Sequence, residues 1–103
     1  MAKTPPKHYL GLKKRYGKVI DSVEALGQAL KSAGPLDEKS AQLIQLAAAA
    51  AIRSEGSVHS HVRRALEAGA SSEEVRHALV LLTSTIGFPT VAAALAWAGD
   101  ILD

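Results

Sequence analysis

Between Lys18 and Lys31, apolar side chains fall at Val19, Ile20, Val23, Leu26 and Leu30, with Lys18, Asp21, Glu24, Gln28 and Lys31 between them. Steps of three and four residues match the turn of an α-helix, so the pattern predicts an amphipathic helix from about Tyr16 to Ala33. Gly34-Pro35 should end it, glycine by taking a left-handed cap conformation and proline by failing to continue the ladder. The next stretch is patterned differently. Asp37 suits an N-cap, and after it Leu43, Ile44, Leu46, the alanines from Ala47 to Ala51 and Ile52 leave almost no polar face. A helix that is apolar nearly all round must be covered on most sides, which predicts a central core helix. Arg53 interrupts it after too few apolar residues for a membrane span.

Ser54 to Gly56 breaks the pattern, and a new helix is expected up to about Ala68, with Val58, Val62, Ala65 and Leu66 as its inner stripe and Gly69 as its stop. Ser71 and Glu74 then have the spacing of a capping box. The helix that follows should face inward through Val75, Ala78, Leu79, Leu82 and Ile86 and stop at Gly87. Pro89 suits a first helical turn, and Val91 to Leu102 is again apolar nearly all round, as expected of a helix that feeds a subunit interface. Near the start, Pro5 and Pro6 can open a short helix through Leu10 and Leu12, but Gly11 and Gly17 make the pattern faintest over residues 1–15. No stretch alternates like a strand pair. The expected fold class is all-α: one compact domain of five or six helices over residues 1–103 that associates through apolar helices.

Composition refines this picture. Hydrophobic residues make up 48% but aromatics only 4%, so the core has to be built from closely packed alanine, leucine, valine and isoleucine. The absence of cysteine excludes disulfides, thiolate nucleophiles and cysteine metal sites together. Twelve basic and ten acidic residues nearly balance. The cluster Lys13, Lys14, Arg15 and Lys18 has no interleaved aromatics and reads as a solvated helix face, so no nucleic-acid partner is expected. The polar, proline-interrupted N-terminus and the lack of a long apolar run point away from the membrane, towards the cytoplasm.

Candidate chemistry centres on Ser54, Ser57 and His61. At about 100° per residue they share one flank of the buried stripe, close to a helix start whose free N–H groups favour an anion. The plainer interpretation is that the serines are caps and the histidine a hydrogen-bonded structural residue. His59 points elsewhere and cannot chelate one metal together with His61 from a regular helix. His8 and His77 read as surface residues, and neither a metal site nor a cofactor is expected. No Gly-x-Ser-x-Gly elbow supports a serine hydrolase, while Arg53, Arg63 and Arg64 could offer charge to a carboxylate.

Three segments carry a family resemblance: Gly34-Pro35-Leu36-Asp37 ahead of Gln42-Leu43-Ile44, the run from His61 to Val75, and Gly87 to Leu95. Together they resemble the carboxymuconolactone decarboxylase and alkylhydroperoxidase D-like superfamily. That resemblance implies a small all-helical protein forming dimers, trimers or hexamers. The peroxidase branch carries Cys-x-x-Cys-x-x-x-His, with a relay glutamate twelve residues before the first cysteine. On this chain the cysteines fall on Ser54 and Ser57, the histidine on His61 and the glutamate on Gln42. A serine hydroxyl forms neither sulfenic acid nor disulfide, so a peroxiredoxin-like label would carry the family name without its thiol chemistry. The decarboxylase branch keeps the histidine without the cysteine pair, although it tends to have a glutamate where Ser57 stands. By resemblance, His61 would be the catalytic acid/base on a small carboxylated lactone or keto acid, with Ser54, Ser57 and Gln42 lining the substrate pocket. The alternative is a catalytically lapsed member acting as an oligomeric binding or scaffold protein.

Overall fold

The segments with helical period all form helices, and side-chain caps open three of them. The computed structural model describes residues 5–103; residues 1–4, part of the stretch with the faintest pattern, lie outside the described residues. Seven helical segments follow in order: α1 (Lys7–Arg15), α2 (Gly17–Ser32), α3 (Glu38–Ala51), α4 (Glu55–Glu67), α5 (Ser72–Val80), α6 (Thr83–Ile86) and α7 (Phe88–Leu102). α6 is a single turn, so six substantial helices make the all-α fold, with no strand among the described residues. None of the described helices is long and apolar enough to cross a membrane.

The chain divides into two compact units, one up to Leu36 and the other essentially Asp37 to Asp103. In the first, α1 and α2 form a hairpin tied by Glu24, which accepts from the Tyr9 hydroxyl and pairs with Lys13 at 3.1 Å. The break between these helices falls at Tyr16, whose φ of −125° is non-helical. The C-terminal end of α2 differs from the sequence expectation. Positive φ occurs only at Arg53, Gly69 and Gly87 among the described residues, so Gly34 takes no left-handed cap. Instead Ala33 N–H reaches back to Leu30 O at 3.3 Å, a tightened last turn, and Pro35 has no N–H with which to extend it.

In the second unit, Asp37 caps α3 by accepting from Ser40 N–H at 2.7 Å. At the head of α5 the Ser71 and Glu74 side chains each accept the other's backbone N–H, at 3.0 and 2.9 Å, completing the expected capping box. α5 is shorter than its apolar pattern suggests. It ends at Val80, whose carbonyl accepts from the Thr83 hydroxyl at 2.7 Å, and the chain restarts as α6. Gly69 and Gly87 adopt φ of +100° and +90°, the latter turning the chain into α7.

The core is built from Leu46, Ala49 and Ala50 of α3, Val58, Val62 and Ala65 of α4, Val75 and Leu79 of α5, and Ala94 and Ala98 of α7. Alanines let α3 lie against α4, which carries the most extensive packing, while α4 and α5 both pack on α7. The nearly all-apolar α3 is central, as its sequence implies. In the last helix Val91, Ala94 and Ala98 are buried, while Phe88 stays exposed. On α2, Val19, Val23, Leu26 and Leu30 stay 56–60% exposed.

Candidate active site

The site residues lie on α3, on α4 and at the joint between them. α3 closes with Arg53 N–H on Ala50 O and Ser54 N–H on Ala49 O, both at 3.0 Å, a paired closure that places Arg53 in the left-handed region at φ 58°. Glycine usually fills that position, and a side chain there costs about 1–2 kcal/mol. The turn delivers Ser54 as the N-cap of α4, where its Oγ accepts from Ser57 N–H across a long 3.4 Å. Ser54 thus has the cap role that a serine at a helix start suggests, and Ser57 lies one turn into the flank that leads to His61.

His61 is half-buried and its Nδ1 lies 2.8 Å from Gln42 Oε1, a side-chain bond between α4 and α3. An amide oxygen only accepts, so Nδ1 carries the hydrogen and, in the neutral ring, Nε2 holds the lone pair. Gln42 is fully buried, and its amide Nε2 has no hydrogen-bond partner. An unpaired buried donor costs about 1–3 kcal/mol, which is unusual in a well-packed interior and marks a place where an oxygen acceptor would be welcome. Gln42 and His61 are thereby brought into direct contact from nineteen residues apart, with Ser57 one turn before His61 on the same helix. Arg53 and Arg64 are exposed and Arg63 is half-buried.

On the side of α4 that meets α7 lies a second group, which sequence reasoning passed over. His59 Nε2 is 2.9 Å from Asp100 Oδ2, and one ligand atom each from Glu55, His59 and Asp100 fall within 4.8 Å of one another. The i, i+4 spacing of Glu55 and His59 was a readable signal, but Asp100 joins them only through the packing of α4 on α7. His8 and His77 are exposed, as expected.

The arrangement combines a histidine of fixed tautomer, a buried amide with a spare donor, and a helix start with a serine one turn before the imidazole. No curated protein and no solved structure matches the chain. The profile of the Carboxymuconolactone decarboxylase family matches residues 18–100, which include α3, α4 and every residue of the candidate site. That match covers well over half of the sequence and, with the all-helical fold, shows that the chain belongs to the carboxymuconolactone decarboxylase family.

Proposed function

We propose that this protein performs acid/base chemistry on a small carboxylated lactone or keto acid, with His61 as the proton carrier. The observation that carries this reading is the 2.8 Å bond between His61 Nδ1 and Gln42 Oε1. It fixes the ring and its tautomer, as an orienting group does in histidine-dependent enzymes. Gln42 is fully buried, so its part in this reading is to orient the ring. The first turn of α4, with Ser54 at its cap and Ser57 beside it, suits the substrate carboxylate. In a decarboxylation, the electron pair of the breaking C–C bond stays on the carbon next to the carbonyl as CO2 departs. The protonated His61 would then deliver its proton to that carbon.

Homo-oligomerisation belongs to the same proposal, with the pocket near a subunit interface. The test is turnover of small carboxylated lactones and keto acids by the wild type, His61→Ala and Gln42→Leu. His61→Ala should abolish turnover, and Gln42→Leu should lower kcat by about ten- to a hundredfold with a smaller effect on KM. Unchanged rates in His61→Ala would sink the assignment.

The serines at both cysteine positions, with Ser54 engaged as a cap, favour a second reading, in which the protein is a lapsed member acting as an oligomeric scaffold. Complete inactivity of the wild type on all such substrates, with an intact oligomer, would establish that reading instead.

A further inference from the structure

We propose that Glu55, His59 and Asp100 form a surface site for a divalent transition-metal ion of the zinc type, separate from the His61 site. Glu55 opens α4 and His59 lies one turn later on the same face, so both side chains project in one direction. Asp100 comes from the last turn of α7. The helices are held together by core residues beside the ligands, Val58 on α4 and Ala98 on α7, which fixes the backbone under His59 and Asp100.

The geometry is close to a coordination shell before any ion enters. Metal bonds of about 2.0–2.2 Å to imidazole nitrogen and carboxylate oxygen set neighbouring ligand atoms about 3–3.5 Å apart. His59 Nε2 and Asp100 Oδ2 stand 2.9 Å apart, and the exposed Glu55 completes a trio lying within 4.8 Å, a gap its flexible side chain can close. One imidazole with two carboxylates suits zinc, nickel or cobalt better than magnesium or calcium, which take oxygen ligands alone.

Electrostatics point the same way independently. The last turn of α7 carries no basic residue, and Asp100 and Asp103 add negative charge to the negative end of the helix dipole. Asp103 is neutralised by Arg76, whereas Asp100 has His59, which is cationic only when protonated. A divalent ion would replace the proton shared by His59 and Asp100, neutralise both carboxylates and clamp the head of α4 to the end of α7.

The site is distinct from the proposed catalytic one because His59 and His61 leave α4 in different directions, towards Asp100 on α7 and Gln42 on α3. The test is calorimetric titration of ZnCl2 into the full, untagged chain at neutral pH, with the His59 ring followed by NMR. One equivalent should bind, shift the His59 resonances and raise the melting temperature. Glu55→Gln, His59→Gln and Asp100→Asn should each weaken binding at least about tenfold, and His77→Gln should leave it unchanged. Circular dichroism confirms that each variant is folded; Glu55→Gln lies at an exposed position and should be the mildest. The proposal is overturned if the wild type binds no better than the triple variant, or if Glu55→Gln and Asp100→Asn both bind as the wild type does.

Discussion

At the residue scale, the chemistry turns on Gln42. A neutral amide there accepts from His61 Nδ1 and so orients the ring, but unlike the relay glutamate of the peroxidase branch it cannot share or store a proton. Gln42→Glu makes this testable. A carboxylate in this fully buried position would stabilise the imidazolium, so the His61 pKa should rise relative to the wild type. A raised folded-state value means that the pair's contribution to stability is in place below the unfolded histidine value of about 6.5 and is lost as pH rises through the folded one. NMR titration of the His61 ring checks this, and an unchanged titration curve would show that residue 42 does not govern the proton on His61. Much of this site was legible: Ser54, Ser57 and His61 share a flank by helical period alone. The contact of Gln42 with His61 was not legible from spacing, because nineteen residues and a helix reversal separate them. Only the family resemblance marked the position, and the orphaned amide nitrogen is visible only once α3 packs on α4.

At the element scale, local hydrogen bonding decides what the sequence reveals. The Asp37 cap and the Ser71–Glu74 box involve donors and acceptors three residues apart, so they could be read without tertiary information. Backbone N–H donation from Ser40 to Asp37, and from Ser71 to Glu74 with help from Lys39, holds both carboxyls below their ordinary values of 3.8 and 4.5. Their contribution is therefore present above those values and is lost as pH falls through the lowered folded-state ones. Urea midpoints should drop on going from pH 7 to pH 3, and less steeply in an Asp37→Asn/Glu74→Gln variant. Parallel acid limbs would contradict this account. The left-handed Arg53 is the opposite case, since propensity would put glycine where this turn needs positive φ. Arg53→Gly should relieve the side-chain strain, partly offset by the greater freedom of glycine in the unfolded chain, for a net gain of about 0.5–1 kcal/mol in denaturant unfolding. A loss of stability in that variant would mean that the arginine side chain makes a compensating contact.

At the scale of the whole molecule, hydropathy identified which helices are apolar but not which apolar faces remain available. α3 and α7 are apolar nearly all round, and one face of each fills the core with α4 and α5, while Ile44 and Phe88 stay exposed. α2 looks ordinary by pattern, but Val19, Val23, Leu26 and Leu30 form one continuous stripe, and each remains more than half exposed. Burying a large aliphatic side chain is worth about 1.5–3 kcal/mol, so four in a row give a strong drive to association. A second copy of the chain presents the same stripe, and self-complementary contact of one face with its twin is the commonest way for an oligomer to close. If copies meet through α2, Val23→Lys/Leu26→Lys would place two charges in the centre of the contact. Because α2 has no buried residue, the variant should keep its helical circular dichroism while its sedimentation coefficient falls to that of a smaller species. A charge pair on the exposed face of α4, such as Arg64→Glu/Glu67→Lys, should leave the assembly unchanged. If the wild type sediments as a monomer from micromolar to millimolar concentration, or if the α2 variant sediments with it, the stripe is not a contact between copies.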